Sequence, residues 1–298
     1  MKLQDQNLSQ LSPDLKRNLL IEALSYIKDF QNQIVVIKYG GAAMIQEEFK
    51  KSFSEDIVLL HSLGLRPVIV HGGGPEVSKA IKLYGHKSSF IDGLRITDLL
   101  SLKISEMVLS GFINKEIVTH INTQSGKAVG LSGKDGKLLT AKKFNHPTTD
   151  LGYVGEVDKV NPELILSLID DGYIPVLSPI GMSDDGQTYN INADTFASHI
   201  ASALKAQKLI FLTNVKGILK DEKLISILDE KEVMKLIDDK SINGGMVPKV
   251  KGMIYGLNKG VETVHIISGI DKHAIISELF TKSGTGTMIV KNIPENDL

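Results

Sequence analysis

Two stretches, Ile34-Val-Val-Ile-Lys38-Tyr-Gly40-Gly41 and Pro67-Val-Ile-Val-His71-Gly72-Gly73-Gly74-Pro75, share a short β-branched apolar run that ends directly on glycines. A continuous apolar run of this length is typical of a strand buried on both faces of a parallel sheet. Because glycine lacks a Cβ, consecutive backbone N–H groups can converge on an anion, and a following helix adds its positive end. The two stretches therefore predict two strand-to-helix loops that bind phosphate.

Each loop taken alone is also compatible with an ordinary strand-to-helix turn. A plain turn needs one glycine, whereas the second loop has three, each at a cost of about 0.5–1 kcal/mol relative to alanine. This cost favours a ligand that lies against the backbone. The chain contains neither a G-x-x-x-x-G-K-[S/T] loop nor a G-x-G-x-x-G that opens a helix in a βαβ unit, so the common nucleotide-binding folds fit it poorly.

Apolar runs and segments of helical periodicity alternate along the chain. Strands are expected at 34–38, 66–71, 127–131, 174–178, 208–213 and 262–267, and helices at 44–63, 75–84, 98–122, 161–171, 193–206 and 246–259. This order predicts an α/β fold with a doubly wound, mainly parallel sheet in a three-layer αβα sandwich. The polar stretch from Lys134 to Gly155 interrupts the alternation and predicts a hairpin or a lid outside the core.

The residues before the first strand predict a helical extension. Ser12-Pro13-Asp14 combines a cap, a proline and an acid at a helix start, and the helix should continue to about Phe30. One broad apolar face is formed by Leu15, Leu19, Leu20, Ala23, Leu24 and Ile27. This face packs either on the chain's own sheet or on another subunit. We expect three segments, 1–31, 32–186 and 187–298, with the Ser183–Gly186 turn as the boundary between two lobes.

Composition excludes several classes of protein and site. Among 298 residues, 34 Lys and Arg balance 35 Asp and Glu, so no basic surface for nucleic acid is expected. The lack of cysteine excludes disulfides, thiolate metal sites and a cysteine nucleophile, and the histidines have no metal-ligand spacing. No apolar run approaches the roughly 20 residues of a membrane span, and no targeting signal is recognised. We therefore expect a cytoplasmic protein without a metal site of its own.

Four side chains are candidates for chemistry. Lys38 lies at the carboxyl end of a strand, where α/β sheets bind ligands. Lys249 lies in the first turn of a predicted helix, where a cation opposes the helix dipole unless a polyphosphate is bound, although a solvated lysine would also fit. Asp194 is either a helix cap or a counter-ion for the two lysines. Arg95, on a predicted loop, suits a carboxylate ligand, although an exposed arginine without a ligand would also fit. Together they predict phosphoryl transfer.

Eight segments in order resemble the amino acid kinase family, and within it the acetylglutamate kinases. These segments are Val36–Met44, His71–Pro75, Asp92–Thr97, Val108–Lys115, Gly130–Gly136, Asp150–Glu156, Tyr189–Asp194 and Gly244–Lys249. The Gly-Leu-Arg-Ile-Thr and Asn-Ile-Asn-Ala-Asp elements distinguish the chain from carbamate, aspartate and uridylate kinases. The similarity extends from Ile34 to Lys291.

The resemblance implies transfer of the γ-phosphoryl group of ATP, supplied with Mg²⁺, to the side-chain carboxylate of N-acetyl-L-glutamate in the second step of arginine synthesis. Its matched positions imply a catalytic group of Lys38, Asp194, Lys249, Gly41 and Gly73. They imply an acceptor site formed by Gly73, Gly74, Arg95 and Asn190. Lobe 32–186 is assigned to the acceptor and to dimerisation, and lobe 187–298 to ATP and the regulatory segment. They imply an ATP site formed by Lys38, Gly40, Gly41, Thr213, Asn214, Gly217 and Lys249. A side-chain carboxylate is already ionised at neutral pH, so no general base is required.

The resemblance also implies control by L-arginine. Arginine-inhibited members carry an N-terminal helix that links three dimers into a hexamer, and their arginine site corresponds here to His265, Glu278 and Gly284. The chain departs from the common pattern at Asn214, where Asp is frequent, and at Ser268-Gly269-Ile270, where Asp-Gly-Arg is frequent. Competing interpretations are a regulatory binding module, which would sense arginine or a PII-type protein, and a kinase for free glutamate or aspartate. The presence of Lys38, Asp194 and Lys249 favours an enzyme.

Overall fold

The computed structural model describes residues 11–281 and 284–293. The first ten residues of the predicted extension, and Lys282 and Ser283 of the predicted arginine segment, lie outside the described residues. The helices are α1 (Pro13–Phe30), α2 (Glu47–Ser62), α3 (Gly74–Leu83), α4 (Leu99–Glu106), α5 (Asn114–Thr123), α6 (Glu163–Asp170), α7 (Ala193–Ala203), α8 (Glu230–Asp238), α9 (Met246–Asn258) and α10 (Ala274–Leu279).

The strands are β1 (Ile34–Tyr39), β2 (Arg66–His71), β3 (Phe90–Ile91), β4 (Leu94–Arg95), β5 (Ala128–Ser132), β6 (Leu139–Lys143), β7 (Val154–Val160), β8 (Ile174–Ser178), β9 (Ile180–Met182), β10 (Thr188–Ile191), β11 (Lys208–Thr213), β12 (Leu219–Lys220), β13 (Lys223–Leu224), β14 (Ile227–Asp229), β15 (Thr263–Ser268) and β16 (Thr287–Val290). Short 3₁₀ turns at Gly41–Met44 and Asp135–Lys137 and a π-helical segment at Met107–Ile113 complete the element order.

One eight-stranded sheet forms the centre of the fold, in the order β14-β16-β15-β11-β1-β2-β8-β5. The six predicted strands are its parallel part, and β16 runs antiparallel to β15 at the added edge. In β1, Val36 packs into the hydrophobic core on one face of the sheet, while Val35 and Ile37 pack into the core on the other. The alternation explains why the run is continuously apolar. The predicted fold class, a mainly parallel sheet covered by helices on both faces, is confirmed.

A second set of strands, β6, β7, β9 and β10, pairs into a four-stranded ring. The polar stretch Lys134–Gly155 supplies β6 and the start of β7, an antiparallel pair, so a hairpin was correctly predicted. Its placement outside the core was wrong, because Leu138, Leu139 and Ala141 are buried in the main core. The Ser183–Gly186 turn joins β9 to β10, where Ser183 N donates to Gln187 O over 2.9 Å. The expected boundary therefore falls in a hairpin of this ring, and the division into two lobes stays a prediction.

The segment expected as one helix over 98–122 is divided into three parts. Helix α4 ends at Glu106, the π-helical segment follows, and α5 begins at Asn114. Helix α8 and the short strands β14 and β16 at one end of the sheet were missed. Periodicity does not distinguish a π-helical turn from an α-helical one within seven residues, and strands of three or four residues carry too few positions to show a period.

Helix α1 begins as predicted, with Ser12 Oγ accepting from Leu15 N over 3.2 Å. Its C-terminal residues Tyr26, Ile27 and Phe30 pack against the core, and Phe30 meets Phe280 edge-on at 5.8 Å. The predicted apolar face nearer the N-terminus is exposed, with Leu20 at 64% and Leu24 at 61%. The helix therefore packs on its own sheet only at one end. Within the described residues, no helix is long and apolar enough to cross a membrane.

Candidate active site

Asp194 bridges the two lysines that the sequence singled out. Lys38 Nζ, from the end of β1, lies 3.0 Å from Asp194 Oδ1, and Lys249 Nζ, from the first turn of α9, lies 2.7 Å from Oδ2. The cap of α7 is Asn192, whose Oδ1 accepts from the backbone N of Asp194 and Thr195. The cap interpretation of Asp194 is therefore wrong, and its carboxylate is a counter-ion for both ammonium groups.

This ion triplet is shielded from water to different degrees. The side chains of Lys38 and Asp194 are 10% and 12% exposed, and that of Lys249 is 32% exposed. Burial by itself would raise the pKa of Asp194, but attraction to Lys38 and Lys249 outweighs burial and lowers this pKa to about 2. The carboxylate is therefore ionised at neutral pH, and the three charges sum to one net positive charge at the carboxyl end of the sheet.

The two glycine loops lie beside the triplet, and each contains a position that disfavours a side chain. Gly41 has φ 73°, and a Cβ there would clash with Asn214 Oδ1. Gly73 has φ 155°, and a Cβ there would clash with Leu109 and Ile113. Gly73 caps α3, so the first amide groups of this helix have no intrahelical acceptor. These are the properties of a backbone anion site.

Arg95 lies in a hairpin rather than in the predicted loop. Strands β3 and β4 pair around Asp92 and Gly93, both with positive φ, and place Arg95 opposite Phe90. The guanidinium lies 4.6 Å from the centre of the Phe90 ring. Its Nη2 donates to Gly74 O at 2.8 Å and to Ser78 Oγ at 2.9 Å, and its Nη1 donates to Ser88 Oγ. Burial lowers the pKa of Arg95, but a guanidinium stays charged at neutral pH.

Most of the predicted site residues line one cleft of about 230 Å³ that opens to solvent. Its lining includes Lys38, Gly40, Gly41, Gly73, Gly74, Arg95, Asn190 and Asp194. Lys249 lines an adjoining opening between the β3–β4 hairpin and α9, and Asp194 borders both spaces. Asn190 lies on β10 and donates to Thr97 Oγ1 at 3.4 Å. The structure thus brings the residues predicted for the catalytic group and for the acceptor together around one ion triplet, and their roles stay predictions.

The remaining predicted nucleotide residues follow β11, next to β1. Thr213 Oγ1 accepts from Val215 N at 3.1 Å and donates to Val215 O at 2.9 Å, which closes a tight turn. Asn214 approaches Gly41, whereas Gly217 packs against Thr287 of β16. None of the three predicted residues lines the cleft described above. Their role in ATP binding stays a prediction.

The predicted arginine residues form a separate buried group. His265 Nδ1 lies 2.7 Å from Glu278 Oε1, and Glu278 Oε2 accepts from the backbone N of Thr285 and Gly286 at 2.6 and 3.0 Å. Burial would raise the pKa of Glu278, but these hydrogen bonds outweigh it and lower the pKa. Gly284 has φ 58° and comes directly before this carboxylate cradle. Binding of arginine here stays a prediction.

Several residues at the site were not assigned a role from the sequence. Ser105 and Leu109 line the cleft, and His71 and Asn114 lie behind the second glycine loop. His71 stands in the quoted loop, and Leu109 and Asn114 stand in the Val108–Lys115 segment, so the matched segments contained three of the four. A chemical role could not be read from them, because it depends on contacts between residues far apart in sequence.

Comparison with known proteins identifies the family. The model of the amino acid kinase family matches residues 33–268. The chain belongs to the amino acid kinase family. An acetylglutamate kinase of Caldanaerobacter subterraneus subsp. tengcongensis is 53% identical over 287 residues, which cover 95% of this chain and 96% of that protein. The family assignment made from the ordered motifs is thus confirmed.

Among solved structures, this amino acid kinase chain is similar to the N-acetylglutamate synthase of Neisseria gonorrhoeae. The synthase complexed with coenzyme A and N-acetyl-glutamate gives a TM-score of 0.84 at 27% identity, covering 93% of this chain and 64% of that one. Its complex with coenzyme A and L-arginine gives 0.81 at 25% identity, covering 92% and 65%. This chain therefore spans slightly under two thirds of the synthase.

Proposed function

We propose that this chain transfers the γ-phosphoryl group of ATP to the side-chain carboxylate of N-acetyl-L-glutamate, in the second step of arginine biosynthesis. The products are ADP and N-acetyl-L-glutamyl 5-phosphate. The observation that carries the proposal is the Lys38–Asp194–Lys249 triplet beside two glycine loops, in a chain 53% identical to an acetylglutamate kinase over nearly its whole length.

The site suits a reaction that needs alignment and charge compensation more than proton transfer. The acceptor carboxylate is ionised at neutral pH, so no base has to activate it. Two ammonium groups and the amides at the start of α3 are placed to stabilise the negative charge of the phosphoryl group in transfer. Asp194 keeps the two ammonium groups together.

We propose that magnesium enters the site as part of the nucleotide substrate. Two carboxylates, Asp194 and Glu76, line the cleft, and Asp194 is already paired with both lysines. This donor set fits an ion that arrives on the phosphates of ATP, where it neutralises their charge. The residues of the chain then bind and orient the phosphates through lysine and backbone N–H groups.

Arg95 and Asn190 are proposed to hold the α-carboxylate of the acceptor. Three of the five N–H bonds of the Arg95 guanidinium are directed at Ser88, Gly74 and Ser78, which fixes its plane. The remaining N–H groups can donate to a carboxylate in the cleft. Asn190, on β10, offers a neutral amide to the same cleft.

The test is turnover with ATP and each of three acceptors, N-acetyl-L-glutamate, L-glutamate and L-aspartate, with hydroxylamine trapping of the acyl phosphate. We expect the acetylated substrate to give a hydroxamate. Its kcat/KM should be far above that of either free amino acid. Equal or higher kcat/KM with a free amino acid would overturn the assignment of the acceptor. No acyl phosphate from any of them would overturn the proposed reaction.

We also propose, more finely, that the enzyme is a cytoplasmic homohexamer, a trimer of dimers joined through α1, and that L-arginine inhibits it. The exposed leucines of α1 support this proposal, as does the Phe30–Phe280 contact between α1 and the segment that carries Glu278. A synthase of the same fold has been solved with L-arginine. Ser268 and Ile270 depart from the common pattern of the family, and the proposed arginine contacts are those of His265, Glu278 and Gly284.

Deleting residues 1–30 tests both parts of this proposal. We expect light scattering to give the mass of a dimer, and we expect the dimer to keep its kcat while losing most of its inhibition by arginine. A full-length protein that is already a dimer would contradict the proposed assembly. Inhibition that is unchanged by the deletion would contradict the proposed role of α1 in control.

A further inference from the structure

His71, the last residue of β2, forms hydrogen bonds that hold the second glycine loop in place. His71 is fully buried, with Nδ1 2.8 Å from Gly72 O and Nε2 3.3 Å from Asn114 Nδ2. A carbonyl oxygen can only accept, so Nδ1 carries the proton and Nε2 accepts from the amide of Asn114. Burial lowers the pKa of His71 to about 4, in agreement with a neutral ring. This ring therefore links the loop to the start of α5.

Both backbone polar groups of Gly72 are occupied. Gly72 N donates to Tyr39 O at 2.8 Å, and Gly72 O accepts from His71. Tyr39 comes directly before Gly40 and Gly41, so this hydrogen bond joins the first glycine loop to the second. Gly72 O shares its peptide group with Gly73 N, so a rotation of this peptide would break the hydrogen bond from His71 and turn the Gly73 N–H group in a new direction.

The π-helical segment supports the same loop from a second direction. Its residues Leu109 and Ile113 pack against Gly73, and Asn114 follows immediately. Asn114 is fully buried, and its Nδ2 lies 2.9 Å from Val176 O of β8, so the amide that faces His71 is fixed to the sheet. π-Helical turns are frequent at functional sites because they shift the register of the side chains that follow. Here the turn brings Leu109, Ile113 and Asn114 to one loop.

We propose that His71 and Asn114 are positioning residues for phosphoryl transfer, which fix the Gly72 peptide and thereby direct the N–H groups of Gly73 and Gly74 at the transferring phosphoryl group. This inference rests on the proposed function. Gly73 and Gly74 line the cleft at the start of α3, where their amides have no intrahelical acceptor. His71 and Asn114 act through these amides and touch no substrate.

Two substitutions of His71 separate positioning from packing. In His71→Asn the side-chain amide reaches the place of Nδ1 and can still donate to Gly72 O, while contact with Asn114 is lost. In His71→Gln the amide reaches the place of Nε2 and keeps the contact with Asn114, while the donor to Gly72 O is lost. Glutamine is closer to histidine in length, so a purely structural role predicts that His71→Gln is the milder change.

Positioning predicts the opposite order. We expect His71→Gln to lower kcat by about 10²-fold, the cost of misplacing one amide donor, and His71→Asn to stay within about tenfold of wild type. We expect a larger change in kcat than in either KM, because the amides of Gly73 and Gly74 are proposed to act on the phosphoryl group during transfer. His61→Gln, a half-buried histidine of α2, serves as a control with unchanged kcat. The inference is overturned if His71→Gln lowers kcat less than His71→Asn does, or if both variants keep the kcat of the wild type.

A measurement on the wild-type protein applies even where the variants do not fold. Neutron diffraction should show deuterium on Nδ1 of His71 and none on Nε2, and deuterium on Nε2 alone would overturn the inference. Turnover of N-acetyl-L-glutamate by the wild type is measured first. An inactive wild type overturns the proposed function and this inference with it, whereas an active wild type with the reversed order of variants overturns the positioning role alone.

Discussion

Asp194→Asn removes the negative charge that the two lysines share, and its effect on stability can be estimated from the structure. The pKa of Asp194 falls from an ordinary 3.8 to about 2, which corresponds to about 2 kcal/mol of folding free energy. Since the folded-state pKa is the lower one, this stabilisation is complete above about pH 5. It is lost as the pH falls toward 2, with about 1 kcal/mol gone by pH 3.

The assay compares urea unfolding of wild type and Asp194→Asn at pH 6 and at pH 3. We expect the variant to be less stable at pH 6, because two ammonium groups remain close together without their counter-ion. We expect the gap between the two proteins to shrink by about 1 kcal/mol at pH 3. Turnover at pH 7.5 should fall by about 10²-fold or more, because both lysines lose the group that orients them.

Asp150→Asn is the matched control. Asp150 pairs with Lys143 at 2.8 Å, but their side chains are 70% and 47% exposed, and neither lines the cleft beside the triplet. Its loss should leave kcat unchanged. A stability gap for Asp194→Asn that is equal at both pH values, together with a loss of kcat below tenfold, would refute the reasoning that ties the pKa of Asp194 to the two lysines.

Three further predictions concern single contacts. Lys249→Ala should lower kcat by about 10²–10³-fold with small changes in KM. As a control, Lys251→Ala, which removes an exposed lysine of the same helix, should leave kcat and KM unchanged. Near-normal kcat in Lys249→Ala would remove Lys249 from the catalytic group. Arg95→Lys should raise KM for the acceptor and leave KM for ATP unchanged, because an ammonium group cannot replace the fixed guanidinium fork. A selective loss of ATP affinity would contradict the proposed contact of Arg95 with the acceptor. Leu20→Asp with Leu24→Asp should give active dimers by light scattering, and an intact hexamer would argue against burial of this face.

The central sheet was predictable because its strands are buried on both faces. A run such as Ile34–Ile37 has no other place in an α/β fold, and parallel strands put the residues that follow them at one edge. Lys38 and Gly73 could therefore be placed in one site from local pattern alone. The pairing of Lys249 with Asp194 was one of two interpretations that the residues left open, and the family resemblance favoured it, since 55 residues separate them and no periodicity connects them.

The parts that were missed depend on long-range contacts. The four-stranded ring is formed by short strands from distant segments, so its polar stretch was wrongly placed outside the core. The contact between His71 and Asn114 spans 43 residues and requires the π-helical turn, which leaves no signature in the pattern of apolar residues. The predicted loop around Arg95 is a hairpin of two-residue strands, too short to show alternation.

The electrostatics of the triplet bear on the chemistry that the site can support. A carboxylate with a pKa of about 2 is a poor proton acceptor at neutral pH, so Asp194 is not suited to be a general base. Its charge instead offsets half of that on the two lysines, which lets them lie close together and still present one net positive charge to a phosphate. A carboxylate acceptor needs no base, whereas an alcohol acceptor would. The low pKa of Asp194 is therefore compatible with a carboxyl group as the phosphoryl acceptor, and the identity of that acceptor rests on the relatives of this chain.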